Sequence, residues 1–290
     1  MKTFAFRFDI DTPTCLREGV PRLLDLSDRV GVQFTYFLSV GRSVSRVGVL
    51  RRALGPSRAP SARAAGFSAR RKLGLSRYVQ LALLNQEIGR GASSLVRTLS
   101  TSADLGLHGG RNHDHWQNHA HGWPRQKVED EVDWGLDWLR GMDIPVKGFC
   151  SPGWTQPESL AAVLAERGFT YRADRHGVDE TGGRLEAGGL LNLGTNIAGE
   201  PGGVAYLEHM RASGASDAQI REAFRARLRE AGDYAVSYDH PYYAGLHALD
   251  LLGDLVEVAK DEGFVVTTMT AMADAIQGTD VPHSDGVALQ

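Results

Sequence analysis

Cysteine is almost missing from this chain. Only Cys15 and Cys150 occur among 290 residues, too few for a disulfide framework, so a reducing, cytoplasmic setting is the expectation. No run approaches the roughly 18 consecutive apolar positions of a spanning helix. The amino terminus, Met1-Lys2-Thr3-Phe4-Ala5-Phe6, passes straight into strand-like sequence with no apolar signal segment. A large net charge is missing too: the formal value is −3, which argues against bulk binding to nucleic acid. One stretch, however, has almost no acid. Residues 42–97 carry twelve Arg and Lys against the single Glu87, threaded with Val, Leu, Phe and Tyr. Such an insertion suits an element lying on an anionic membrane surface; a solvated connector with its arginines turned to water is the other reading. The remainder has the composition of a globular protein with a full core, 42% apolar and 23% charged.

What is present is a regular alternation of strand and helix patterns. Phe4-Ala5-Phe6-Arg7-Phe8 predicts a buried first strand ending in Asp9-Ile10-Asp11-Thr12-Pro13. Period two puts Asp9 and Asp11 on one side, where two carboxylates repel unless a cation or a shared proton relieves them. A metal ligand beside a general base is one use of such a pair; a helix cap before Pro13 is another. An amphipathic helix over 20–30 stops at Gly31, and 32–38 reads as the second strand. This β-α-β start predicts a parallel sheet. Later helices are expected at 125–140, 159–167, 217–231, 249–262 and 271–276. Strands are expected at 146–150, 169–172, 190–193, 234–238 and 264–268, with 176–206 mostly loop. No linker interrupts the alternation, so one domain over 1–278 is expected, followed by a loose tail at 279–290.

Five of the ten histidines fall between Leu107 and His121, in Leu107-His108-Gly109-Gly110-Arg111-Asn112-His113-Asp114-His115-Trp116-Gln117-Asn118-His119-Ala120-His121. Imidazoles at this density are a candidate metal site, since they are the commonest zinc ligands and titrate near neutral pH. The stretch follows a short strand and contains two glycines, so it reads as a loop at a strand end. Asp9, Asp11, His108, Asp174 and His240 all follow apolar strand runs, which predicts that they meet on one rim of the fold.

These segments resemble a known family. Asp9-Ile10-Asp11-Thr12, Leu107-His108 with a further histidine, Ser151-Pro152-Gly153-Trp154, Asp174 with Arg175, and His240 follow the order of the five motifs of the polysaccharide deacetylase (NodB-homology, carbohydrate esterase 4) superfamily. Arg17-Glu18-Gly19-Val20-Pro21-Arg22-Leu23-Leu24, Phe37-Leu38-Ser39-Val40-Gly41 and Trp116-Gln117 are most similar to its 4-deoxy-4-formamido-L-arabinose-phosphoundecaprenol deformylases. The resemblance spans residues 3–275 and is most specific in the first 41. It implies an α/β fold, a distorted (β/α)7 barrel, with one divalent metal. Zinc comes first, and cobalt, nickel or manganese also suit two histidines and a carboxylate.

By the same resemblance Asp9 is the general base, and Asp11, His108 and His113 are the metal ligands, with His115 as the fallback for His113. Asn112 stands where the broad family has its second histidine. Cys150 stands where it has an arginine, a cation that Arg175 is expected to replace. His240 protonates the leaving amine and Asp174 orients it. Trp116, Gly153, Trp154 and Tyr242 are the expected substrate contacts, the aromatics by stacking on a sugar ring. The implied reaction is hydrolysis of a formyl or acetyl group from an amino sugar carried on a polyprenyl phosphate, by an enzyme peripheral to the inner membrane face through 42–97. A deacetylase of soluble glycans, antibiotic-type or nucleotide-linked amino sugars is the second class, and a catalytically inactive metal- or membrane-binding relative the third.

Overall fold

The computed structural model describes residues 1–44 and 85–279. The strands are β1 (Thr3–Ile10), β2 (Thr35–Leu38), β3 (Asp104–His108), β4 (Gly148–Cys150), β5 (Tyr171–His176), β6 (Gly183–Leu185), β7 (Leu191–Thr195), β8 (Tyr234–Asp239) and β9 (Val265–Val266). The helices are α1 (Val20–Val30), α2 (Ser93–Ser102), α3 (His113–His119), α4 (Arg125–Arg140), α5 (Leu160–Glu166), α6 (Tyr206–Ala212), α7 (Asp217–Glu230), α8 (Pro241–His247), α9 (Leu249–Asp261) and α10 (Met269–Thr279).

Seven strands run parallel in the order β7-β5-β4-β3-β2-β1-β8, and the antiparallel β6 hairpin extends the β7 edge. The curled sheet is closed where Ile197, just beyond β7, bridges Ser237 of β8. This is the distorted (β/α)7 barrel expected from the sequence. The short β9 joins β1 at its start.

All eight residues of β1 are buried, and their period of two divides them cleanly. Phe4, Phe6, Phe8 and Ile10 pack outward under the helices, Phe4 edge to face with Phe224, and Phe6 and Phe8 edge to face with Phe34. Ala5 faces the barrel interior with Phe37, Tyr171, Leu191 and Val236, and so do Arg7 and Asp9 by the same alternation. Burying each large apolar side chain contributes about 1.5–3 kcal/mol, so the outward row anchors the register of the strand. α10 plugs the opposite mouth: the Met269 N–H donates to Thr35 and Thr270 bonds Asp104, the first residues of β2 and β3. The rim at the strands' C-terminal ends carries Asp9, Asp11, His108 and His240.

Two expectations needed revision. The histidine stretch is not a loop throughout, because Asn112 caps a helix there, its Oδ1 accepting the His115 N–H at 2.8 Å. The segment 176–206 holds the β6–β7 hairpin, whose exposed three-residue β6 has no apolar alternation to announce it. Most of the basic insertion, residues 45–84, lies outside the described residues, as does the expected tail from 280.

Candidate active site

The two aspartates of the first motif sit at the C-terminal end of β1 with different neighbours. Asp9 is buried and clamped by Arg7, whose Nε and Nη2 reach Oδ1 and Oδ2 at 2.9 and 2.8 Å. Arg7 also donates to the Ala173 carbonyl at 2.7 Å and lies 4.4 Å from the Trp154 ring. Burial alone would raise the Asp9 carboxyl, but the Arg7 charge, then His108, holds it below the usual range, so it is ionised at neutral pH. Asp11, two residues on, faces imidazoles instead: its Oδ2 lies 3.7 Å from His113 Nε2 and 3.2 Å from His240 Nε2. Burial is opposed there by His240 and then His113, and Asp11 too is held low.

His108 ends β3 and pairs in register with Cys150 of β4. Its Nδ1 is 3.1 Å from the Cys150 carbonyl and 2.9 Å from Sγ, while Nε2 lies 3.9 Å from Asp9 Oδ2. Burial lowers its pKa to about 4, so the ring is neutral at pH 7. A neutral imidazole that donates Nδ1–H to a carbonyl leaves the Nε2 lone pair for a metal. His113 is likewise lowered by burial, and its ring centroid is 5.1 Å from that of His108. Two neutral imidazoles and the Asp11 carboxylate form a donor set suited to zinc and similar ions.

The one trio of donor atoms all within 4.8 Å of one another, among the described residues, is Asp9, His108 and Cys150. The expected Asp11, His108 and His113 set is more open. Electrostatics nevertheless favour the wider set. Arg7 already occupies both oxygens of Asp9, a buried guanidinium repels a dication beside it, and burial holds the Cys150 thiol well above its usual pKa.

The histidine segment is held by the chain after β2. The His113 N–H donates to the Arg42 carbonyl and the Asp114 N–H to Ser43, whose hydroxyl donates to the Asp11 carbonyl at 2.6 Å. A Cβ on Gly41 would fall 2.1 Å from the Arg111 carbonyl, so only glycine lets these loops meet. Asn112 spends its side chain on the helix cap and on the Val44 carbonyl, at 2.9 Å. His115, the fallback ligand, is exposed and packs at a tilt against His119 and Trp123 rather than toward Asp11.

His240 caps β8 with its Nδ1 2.8 Å from Glu208 Oε1 and its Nε2 3.0 Å from the Tyr238 hydroxyl. The carboxylate behind it is therefore Glu208, from α6, rather than Asp174. Asp174 accepts bonds from the Ser151 N–H at 2.6 Å, the Ser151 hydroxyl and Arg172, and so pins the Ser151–Trp154 turn. Arg175 is also corrected. The pairing of β5 with β7 shifts register between Arg172 and Arg175, and Arg175 pairs with Glu180 and the Asn192 carbonyl while Arg7 reaches Asp9.

Trp116 is fully buried, edge-on to Trp123, with its indole N–H on the Thr155 carbonyl at 3.0 Å. It braces the third-motif turn and offers no face to a sugar. Trp154 is half-buried against Arg7, His176 and Tyr238, and Tyr242 is half-buried beside His247. At Gly153 the backbone φ is +60°, and an added Cβ would meet Gln117 at 2.3 Å.

Reading the sequence missed Arg7 and Glu208. Arg7 carried a signal: a buried charge in an all-apolar strand needs a partner, and Asp9 is its nearest same-face acid. Glu208 carried none, since only the barrel closure brings α6 against β8.

No family model matches the chain. Solved structures do resemble it. A protein assigned as a polysaccharide deacetylase from Mycobacterium smegmatis is 17% identical over 97% of this chain and 92% of its own, with a TM-score of 0.61. The chain has the polysaccharide-deacetylase fold. Puue allantoinase superposes with a TM-score of 0.61 at 12% identity, over 96% of this chain and 91% of that one. A CE4 family pseudoenzyme from Bacillus anthracis gives 0.55 at 10% identity, over 94% and 66%. One architecture thus carries a deacetylase, an allantoinase and an inactive relative, so the site's own residues must argue the function.

Proposed function

We propose that this chain is a metal-dependent amidohydrolase that removes an N-acyl group, formyl or acetyl, from an amino sugar. The observation that carries the reading is the division of labour between the two aspartates: Asp9 is ionised and held by Arg7, and Asp11 is turned to His113 and His240. The likeness to a polysaccharide deacetylase supports the same class. Asp11, His108 and His113 would hold the ion, which when bound polarises the acyl oxygen and makes water more acidic.

The chain's own groups account for the remaining steps. Asp9, ionised and fixed in orientation, accepts the proton of the attacking water. The N–H groups of Trp154 and Thr155 bond back to the Ser151 and Pro152 carbonyls, so the Gly153 N–H is the turn's donor toward the oxyanion. His240 gives its Nε2 proton to the departing nitrogen, since an amine anion leaves too slowly. Glu208 accepts the Nδ1–H of His240 and stabilises its protonated form. The Trp154 face and Tyr242 flank this centre and suit a sugar ring.

We assign the substrate to a polyprenyl-phosphate carrier on the strength of the basic insertion, twelve cations against one acid in 42–97. No helix among the described residues is long and apolar enough to cross a membrane; peripheral contact through this insertion is part of the proposal. The test is release of formate or acetate from formylated and acetylated amino sugars, with and without a polyprenyl phosphate and a divalent metal. Metal-dependent release from the lipid-linked sugar is expected. Release confined to soluble sugars would remove the carrier from the proposal, and no release from any acylated sugar would overturn the amidohydrolase.

A further inference from the structure

The histidines that the active site leaves aside have chemistry of their own. His115 and His119 are four residues apart on α3, and side chains at that spacing lie one above the other on a helix face. Both are exposed, and their ring centroids are 4.9 Å apart with a 52° tilt. The opposite face of the same helix carries the buried Trp116 and turns His113 toward Asp11. We propose that His115 and His119 form a second, solvent-facing transition-metal site, a chelate across one helical turn that selects imidazole-preferring ions such as Cu2+, Ni2+ and Zn2+.

Two features beyond the spacing support it, and the spacing itself has precedent. The His115 ring is not a loose surface side chain: it packs on Trp123 at 5.4 Å and 38°, and Trp123 is itself fixed edge-on against buried Trp116 at 5.2 Å. Holding one ring in place lowers the entropic cost of closing the chelate. The turn that carries the pair is also set, because Asn112 caps the His115 N–H and Asn118 donates to the Asp114 carbonyl at 2.6 Å. Finally, two histidines at i and i+4 are a spacing with which helices elsewhere hold zinc, and imidazole affinity rises along the series to copper. With two protein ligands, water completes the coordination, so the site is open and exchangeable rather than structural.

The placement has a consequence for the inner site. α3 has only seven residues, fewer than a helix needs to persist unaided. An ion bound to the folded pair and not to the unfolded chain stabilises that helix by mass action. The element it stabilises is the one that presents His113.

The site can be isolated with His108→Ala in the untagged, full-length protein, which removes an inner donor and leaves α3 intact. Titrated with Cu2+ at a pH about one unit above the imidazole pKa, this protein should bind one ion per chain with two-nitrogen superhyperfine structure in its electron paramagnetic resonance spectrum. Adding His119→Gln or His115→Gln should weaken binding at least about tenfold with the circular dichroism unchanged. In parallel, the otherwise wild-type protein should bind one Cu2+ more than His119→Gln does, a comparison that stands even if His108→Ala fails to fold. Cu2+ affinity within about threefold of the parent in both glutamine variants, or equal stoichiometry in the parallel comparison, would overturn the proposal.

Discussion

Asp9 and Asp11 are separated by one residue, share a strand face and have the same side chain, yet they sit in opposite electrostatic company. Asp9 meets a permanent cation, Arg7, from its own strand; Asp11 meets His113 and His240, brought from α3 and β8. A guanidinium cannot give up its proton or bind a metal, so it locks Asp9 as an anion with fixed orientation. Imidazoles can do both, so the Asp11 side is where an ion can be held. Environment, not residue type, sets the two carboxylates apart.

The comparison breaks most completely by removing the ligand side. His108→Ala and Asp11→Asn should each lose the metal and reduce turnover below detection while the circular dichroism stays native, as metal analysis of purified protein would show. Full metal occupancy in either variant would refute the ligand assignment. Asp9→Asn should do the reverse, keeping the metal and lowering kcat about 10²–10⁴-fold, the usual share of general-base catalysis. If Asp9→Asn lost the metal instead, the two aspartates would exchange roles.

Arg7→Met tests the clamp. It leaves Asp9 buried without its cation, and breaking such a pair typically costs about 3–5 kcal/mol. Chemical denaturation should show most of that loss, and adding Asp9→Leu should restore much of it. Stability unchanged in Arg7→Met would mean that the pair does not constrain Asp9.

A smaller effect is expected at Glu208→Gln, which keeps the shape behind His240 and removes the charge. Turnover should fall about 10–100-fold with KM little altered, as for other groups that orient a reacting histidine. Glu208→Asp should recover part of it, and substrates with good leaving groups should suffer less. An equal loss across leaving groups would detach Glu208 from His240's proton.

The smallest effect is on acid stability. Burial places the folded-state pKa of His108 near 4 against 6.5 for a free imidazole, so between those values the unfolded chain binds more protons. Stability of the metal-free protein should therefore decline as pH falls from 6.5 toward 4, and less steeply in His108→Gln, as urea titrations at stepped pH would record.

Much of the frame was legible in the residues. Alternation in 4–8, the helix stop at Gly31 and the exact span of α4 follow from local pattern and chain stiffness, which neighbours in sequence decide. The α3 helix was harder to see, because five closely spaced histidines mask one turn-forming cap and a single buried tryptophan. Glycines 19 and 41 were visible as residues but not as contacts. A Cβ at Gly19 would lie 2.2 Å from the Pro241 carbonyl, so that glycine lets the turn after His240 close against the start of α1.

By itself the sequence determined the alternation of strand and helix, the face that Asp9 and Asp11 share, and the strand-end position of His108 and His240, since period and polarity are local properties. Only the tertiary structure decided which partner each received. Arg175 goes to the Asn192 carbonyl rather than to Asp9, Glu208 rather than Asp174 backs His240, and Trp116 is a brace rather than a platform. Those choices depend on where the barrel closes and which side of a strand faces inward, quantities set by contacts between residues tens to hundreds of positions apart.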